Sequence, residues 1–304
     1  MSPAVARDKA LVDQTFKKVV SMKVLVTGGA GFIGANLVRM LIGKSYRVTV
    51  LDDLSVGKLD YLKNLELGFI EGSILDPNVV WQAIEWADSV IHLAAQTSIV
   101  NSIAHPRGDS FSINVMGSVN ILDTCKAVDT ERFVFASSNA AKQCDLSPYG
   151  ASKRAIEGYC TAYHSTYGLG TIALRLSNVY GPYSAHKNSV VAKWFRDKEI
   201  IVEGGEQTRD FVHVDDVCRA IIAALESDVS GEIFQVGTGA ETRVSELAMM
   251  VQQVSGAKIK YGTPRQNDIK RNVANITKAG EMLNWQPAVN LTDGLKNTWE
   301  WFNR

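Results

Sequence analysis

The chain is short of the features that would mark several functional classes. Of 304 residues only four are cysteine, Cys125, Cys144, Cys160 and Cys218. They lie far apart, without the close spacing of a metal cluster, and are expected to be free thiols in a reducing cytosol. Net charge is missing too, because lysine plus arginine equals aspartate plus glutamate at 32 each. Such a balance gives no electrostatic footprint for nucleic acid or an anionic membrane surface. No apolar run approaches the ~18 residues of a membrane span. Residues 1–20 mix Arg7, Asp8, Lys9, Asp13, Lys17 and Lys18 with isolated apolar positions. They lack the continuous apolar stretch of a secretory signal and read as an N-terminal extension. There is no internal repeat. What remains is a chain long enough for one large domain or two with ample core, expected to be cytoplasmic.

What is present begins with glycine. Lys23-Val24-Leu25-Val26-Thr27 is a short β-branched run, followed by Gly28-Gly29-Ala30-Gly31-Phe32-Ile33-Gly34 and then the helical pattern 36–42. Strand, glycine turn and helix in direct succession are the context of a dinucleotide fingerprint. Gly28 suits the tight turn, Gly31 the approach of a pyrophosphate, and Gly34 the packing of helix on strand. The helix N-terminus would face phosphates with unpaired N–H groups. A second strand-like run, 47–51, ends in Asp52-Asp53. An acid at this distance accepts hydrogen bonds from the adenosine ribose and repels a 2′-phosphate, so NAD is favoured over NADP.

A second constellation is Ser147-Pro148-Tyr149-Gly150-Ala151-Ser152-Lys153. Tyrosine titrates near pH 10, too high for a good base at neutrality. Four residues make one helical turn, so Lys153 would leave the same face as Tyr149. Its ammonium would favour the phenolate, making the pair a base and its activator.

Strand-like segments near 67–70, 89–93, 132–136 and 171–176 alternate with helical ones near 79–86, 115–128 and 149–167. That alternation predicts an α/β fold, a doubly wound parallel sheet (Rossmann), with ligands along the carboxyl edge of the strands. His92, Ser137 and Ser138 fall at such ends. Residues 21–180 are expected to form the dinucleotide-binding domain, rejoined by 212–238. Residues 181–211 and 239–304 would form a smaller, discontinuous α/β substrate lobe, with helices near 244–254, 277–283 and 291–302.

From Lys23 onward the chain resembles the extended short-chain dehydrogenase/reductase superfamily, especially its nucleotide-sugar epimerases. The resemblance rests on the glycine turn, Leu51-Asp52-Asp53-Leu54-Ser55, His92-Leu93-Ala94-Ala95-Gln96 and Asn114-Val115-Met116-Gly117. It continues through Ala136-Ser137-Ser138, Tyr149 to Lys153, Leu174 to Pro182 and Gln207-Thr208-Arg209-Asp210-Phe211. It implies a catalytic set of Ser138, Tyr149 and Lys153, with Lys153 also on the nicotinamide ribose. Gly28, Gly31, Phe32, Ile33, Gly34, Asp52, Asp53, Leu54, Ser73, Ile74, Leu93, Ala94, Ala95, Asn114 and Ser137 would line NAD together with Tyr149 and Lys153. Arg209 and Arg265 would clamp the substrate diphosphate. Ser138, Asn178, Ser189, Val190 and Asp268 would complete the substrate side, and the family precedent is a homodimer joined by the helix after Asn114 and the Tyr149 helix.

The implied reaction is inversion at C4 of a UDP-hexose through a 4-keto sugar, with N-acetylated and uronic sugars left open. The alternatives are a 4,6-dehydratase and a non-catalytic NAD-binding sensor. Dehydratases of this family carry an Asp-Glu pair directly after the catalytic Ser or Thr, where this chain has Asn139-Ala140. Sensors commonly lose the Tyr or the Lys. The connection from Ser138 to Tyr149 is shorter than is usual in epimerases, which opens the expected sugar pocket. Ser73 replaces an adenine-binding Asp, and Ile201-Val202-Glu203 replaces a segment whose ring packs on uracil.

Overall fold

Seven parallel strands form the central sheet. They include β1 (Lys23–Thr27), β2 (Arg47–Asp52), β3 (Gly68–Glu71), β4 (Ser89–His92), β5 (Arg132–Ser138) and β6 (Gly170–Leu176). The spatial order is Glu232–Val236, β6, β5, β4, β1, β2, β3. The structure is a computed structural model describing residues 22–105, 109–264 and 269–304, so the N-terminal extension expected over 1–20 lies outside the described residues.

The strands read as near-continuous apolar runs because helices cover both faces. Alternate side chains serve opposite layers. Val24 and Val26 join Leu37, Leu41 and Ile221 on the face covered by α1 (Phe32–Gly43) and the helix Val214–Glu226. Leu25 joins Val90, Ile121, Phe133, Phe135 and Ile156 on the face covered by Ser118–Ala127 and Pro148–Tyr167.

The smaller lobe has its own core of Trp194, Phe195, Ile200, Leu247 and Leu295. Residues 181–211 contribute a helix at Val190–Asp197 and a strand at Glu199–Glu203, beyond the three helices expected in this lobe. The strand pairs in parallel with Lys258–Gly262, far along the chain, so local sequence carries little of its signal. Asp210, fully buried, ties this lobe to the sheet. Its carboxylate accepts from Thr238 N–H and hydroxyl at 2.8 and 2.7 Å, Gly239 N–H at 3.0 Å and Ala274 N–H at 3.2 Å.

The helix expected over 115–128 also differs. It begins as a wide π-type turn, Ser112–Gly117, before becoming α-helical at Ser118–Ala127. The turn turns Asn114 inward, where it is buried, and lets Ser118 donate its hydroxyl to the Asn114 carbonyl at 2.6 Å. Such widened turns gather at functional sites.

A file of buried hydrogen bonds starts there. Thr27 and His92 sit abreast in β1 and β4. Because the one Ser118 proton goes to Asn114, His92 Nε2–H must donate to Ser118 Oγ, at 2.8 Å. His92 Nδ1 is then the acceptor for the Thr27 hydroxyl at 2.7 Å, and Thr27 Oγ1 accepts Ala94 N–H at 3.3 Å. The ring lies between Phe133 and Phe135. Burial, with the nearby Lys153 ammonium adding to it, brings the His92 pKa down to about 3.

This has a pH signature. Between about 3 and the ordinary value of 6.5 the unfolded chain binds a proton at His92 that the folded chain refuses. Stability is therefore lost as pH falls through that window, by up to about tenfold in the folding equilibrium per pH unit. Thermal melts should show His92→Gln less stable than wild type at pH 7 but with a smaller further fall at pH 4. Parallel curves for the two proteins would contradict the assignment.

Candidate active site

The glycine turn follows β1 and ends at α1. Gly28 has φ +70°, and a Cβ there would lie 2.7 Å from Ala94 N, so the turn abuts the segment after β4. Gly34 works differently from the sequence expectation. A Cβ at Gly34 would meet Gly28 O at 2.3 Å and Gly29 Cα at 2.5 Å, so the close packing is of helix on turn rather than helix on strand. Gly31 is the N-cap and no side chain caps α1. Phe32 is buried and Ile33 half-buried. An uncapped helix start behind a glycine turn fits the pyrophosphate of a dinucleotide.

Asp52 closes the turn from the next strand. It is buried, with Oδ2 accepting Ala30 N–H and Oδ1 accepting Leu54 N–H, both at 2.9 Å. Burial raises its pKa, against the lowering effect of these two bonds. A carboxylate has about four acceptor sites, so capacity remains for ribose hydroxyls. Asp53 is exposed and holds Ser55 through its N–H at 3.0 Å and its hydroxyl at 2.5 Å. Leu54 adopts φ +55°. Ser73 Oγ accepts Leu75 N–H at 3.2 Å, and Ile74 is buried beside it. Leu93, Ala94 and Ala95 are half-buried at the carboxyl edge.

Asn114 clasps the same edge. Its Oδ1 accepts Gln96 N–H at 2.8 Å, and its Nδ2 donates to Gln96 O and Ser152 Oγ, both at 3.0 Å. Ser152 in turn donates to Tyr149 O at 2.8 Å. Tyr149 N–H donates to Ser102 Oγ at 3.2 Å. The Tyr149 main chain is thus held from both sides.

The short connection brings the catalytic candidates together. Residues Asn139–Leu146 form two short 3-10 turns that meet at a kink at Gln143, then Ser147 caps Pro148–Tyr167 by accepting Gly150 N–H at 3.0 Å, with Pro148 in the first turn. Ser138 is half-buried at the end of β5, and its hydroxyl is near enough to the buried Tyr149 side chain to oppose part of the rise in the tyrosine's pKa. Lys153 is buried one turn on, but its Nζ donates to Ala136 O at 2.9 Å and stands 4.7 Å from the Phe135 ring centre.

The expectation that Lys153 lowers the Tyr149 pKa is not met. Burial raises Tyr149 above its ordinary value, opposed only by the Ser138 hydroxyl. Burial brings Lys153 down to about 7, assisted by the Lys187 ammonium and opposed by Glu157. Desolvation outweighs pairing because the ammonium is committed to a carbonyl.

Glu157 escaped the sequence reading. Fully buried one turn beyond Lys153, it accepts Ser137 Oγ–H at 2.6 Å and a two-pronged pair of bonds from Arg175 at 2.7 and 2.6 Å. Those bonds hold its carboxyl below the usual range despite burial. Ser137 therefore turns its hydroxyl into this pair. The spacing from Lys153 was the available signal.

On the substrate side, Asn178 Nδ2 donates to Asp210 O at 3.2 Å, and the half-buried Arg209 donates to Ile269 O at 2.6 Å. Ser189 stands at the N-cap of Val190–Asp197, and Val190 packs on the lobe core. Arg265 and Asp268 lie outside the described residues. Among the described residues no group of acids, histidines and cysteines could hold a metal ion, and no helix is long and apolar enough to cross a membrane.

This geometry has close parallels. A putative UDP-glucose 4-epimerase of Methanocaldococcus jannaschii is 38% identical, over 91% of this chain and 97% of its own. The crystal structure of UDP-glucose 4-epimerase with UDP-glucose from Thermotoga maritima superposes with a TM-score of 0.86 at 36% identity, covering 93% of this chain and 99% of that one. A dTDP-glucose 4,6-dehydratase of an Actinoplanes species is 30% identical, over 92% of this chain and 98% of its own. A family profile matches residues 24–237, which hold the whole glycine turn, Asp52 and the Ser138–Tyr149–Lys153 cluster, and the chain belongs to the NAD dependent epimerase/dehydratase family.

Proposed function

We propose that the protein is an NAD-dependent 4-epimerase of a UDP-hexose, working through a 4-keto sugar. The observation that carries this reading is that Ser138, at the carboxyl end of β5, stands beside the buried Tyr149 side chain, with Lys153 one helical turn on and bonded to Ala136 O of the same strand. NAD bound on that turn supplies the acceptor and then the donor for the C4 hydride.

The chain's own groups handle the proton. Tyr149 Oη, which must reach its phenolate form against the burial that raises its pKa, takes the proton of the 4-hydroxyl, and Ser138 hydrogen-bonds the same sugar oxygen. The ketone turns over in the cleft, and Tyr149 returns the proton when C4 is reduced from the other face. Substrate and product are therefore isomers. Lys153, placed by its bond to Ala136 O, would meet the nicotinamide ribose. Arg209 and Arg265 would hold the diphosphate, with Asn178, Ser189, Val190 and Asp268 around the nucleotide.

The residues after Ser138 favour epimerisation over dehydration. Dehydration must remove the C5 proton and expel the 6-hydroxyl, which takes a further acid and base. Asn139 is an amide whose Nδ2 donates to Ser177 Oγ at 2.8 Å, and Ala140 has no proton to exchange. A homodimer in the cytoplasm completes the reading. The elements it would use expose Met116 and Tyr159, at 51% and 42%.

Three outcomes test the reading. Mass spectrometry of products from UDP-hexoses should show unchanged mass with inversion at C4 by NMR, whereas loss of water would establish dehydration. Tyr149→Phe should lower kcat by about 10²–10⁴-fold while NAD still binds; full activity in this variant would remove Tyr149 from the chemistry. Asp52→Ala should weaken NAD roughly tenfold and relax discrimination against NADP, measured by titration. Equal affinity of wild type for the two cofactors would refute the role of Asp52.

A further inference from the structure

One junction between the two lobes, on the cofactor side, is aromatic. After the strand Asn178–Tyr180 the chain passes Gly181-Pro182 into a loop that ends at Ser189, the N-cap of Val190–Asp197. Tyr183 stands half-buried at the start of this loop. Its ring meets Tyr61 edge-on with centres 5.1 Å apart, and Trp301 of the C-terminal helix Leu291–Phe302 at 5.2 Å. Arg39 of α1 lays its guanidinium over the same ring, 4.5 Å from the centre, and Asn36 of α1 donates to Pro182 O at 3.0 Å.

The partners from the sheet domain belong to the segments that would hold NAD. α1 is the helix whose uncapped start fits the pyrophosphate. Tyr61 is buried in the short 3-10 helix Leu59–Leu62, directly after Gly57 and Lys58. A Cβ at Gly57 would lie 2.8 Å from Asp52 Oδ1, and Lys58 N–H donates to Ala30 O in the glycine turn at 3.0 Å. The segment that carries Tyr61 is therefore pressed against both the glycine turn and Asp52.

Tyr183 adopts φ +68°. That left-handed backbone suits glycine and strains a bulky side chain. The ring contacts must offset a strain that glycine would not incur. Beyond Tyr183 the loop is braced. Ser184 Oγ–H donates to Gly181 O at 2.6 Å, and Lys187 N–H donates to Ser184 O at 2.8 Å. Arg196, on the helix that follows, donates to Ala185 O and Lys187 O, both at 3.0 Å. A displacement of Tyr183 is thus passed on to Ser189 and Val190.

We infer that Tyr183 is a positioning residue for the nucleotide end of the substrate. Its ring fixes the loop 181–189 against α1 and the Tyr61 segment, and so places Ser189 and Val190 before the ligand arrives. This rests on the reading in which those two residues meet the nucleotide. A loop held in place beforehand loses little freedom on binding, which strengthens affinity.

Calorimetric titration of the NAD-loaded protein with UDP tests this. Tyr183→Gly removes the ring while suiting the left-handed backbone. It should weaken UDP roughly tenfold, the scale of losing two ring contacts and a cation over the ring. Its NAD affinity, titrated separately, should stay within about twofold of wild type. Tyr183→Phe should bind UDP as wild type does, because the ring and not the hydroxyl makes the contacts. Tyr61→Leu should also weaken UDP, and adding it to Tyr183→Gly should cost little more, since both changes break one contact. Equal UDP affinity of wild type and Tyr183→Gly would overturn the inference. So would parallel losses of UDP and NAD, which make the ring a general support of the fold, or additive losses in the double variant. Failure of wild type to bind UDP would overturn the inference and the UDP-sugar reading together. Product analysis judges C4 inversion separately, and dehydration there would sink that reading alone and leave the role of Tyr183 intact.

Discussion

Everything in the cleft depends on the file of hydrogen bonds that runs from β1 through His92 to the Tyr149 helix. Thr27, His92, Ser118, Asn114 and Ser152 form it, all buried, and it ends on the Tyr149 carbonyl. Each hydroxyl and ring nitrogen has one assigned role, and a buried polar group without its partner costs about 1–3 kcal/mol. The file therefore tolerates only one arrangement of β1, β4, the Ser112–Gly117 turn and the helix. Through Ala94 N–H it also fixes the segment that abuts Gly28. The glycine turn and Tyr149, the candidate base, more than a hundred residues apart in sequence, are positioned by the same polar contacts.

Around that file, burial and charge are in tension. Tyr149 and Lys153 both lean toward their neutral forms because desolvation dominates. Glu157 keeps its charge because three partners, Arg175, Ser137 and Arg154, surround its oxygens. Hydrogen bonds directed at the charged form can outweigh burial, whereas an ammonium bonded only to a carbonyl cannot gain as much. Burial thus works against the charge of the lysine beside Tyr149, and a ligand that brings its own anions would favour that charge. Diphosphate and dinucleotide are both such ligands.

How far this was legible in the sequence follows from the range of each interaction. The glycine turn, Asp52 and the strands over 23–27, 47–52 and 132–138 are local patterns whose residues are contiguous, and the observed elements carry them. Tyr149 and Lys153 were legible as one helix face, and their adjacency to Ser138 follows from a short connection. The electrostatic role of Lys153 was not legible, because it turns on burial and on the Ala136 carbonyl at the end of another strand. Thr27, Ser118 and Ser152 look like ordinary small polar residues until the strands stand abreast. In the smaller lobe, two- and three-residue strands such as Thr208–Arg209 and Phe211–His213 have no period to read. They are held in place by Asp210 between them, which gathers four donors from two distant segments.

The shortened connection ties chemistry to architecture most directly. A longer loop between Ser138 and Tyr149 would have to be closed at an entropic cost that grows only slowly with its length, so brevity is not needed for stability. What brevity does is geometric. Ser138 accepts Ala140 N–H at 3.2 Å and so starts the 3-10 coil itself, and Ser147 ends that coil by capping the next helix. Between those two ends the one carboxylate is Asp145, and the position directly after Ser138 carries an amide. Asn139, the first residue that faces inward, is already bonded to Ser177. On the proposed reading, a site that exchanges only the C4 proton, through Tyr149, would have inversion at C4 as its available chemistry.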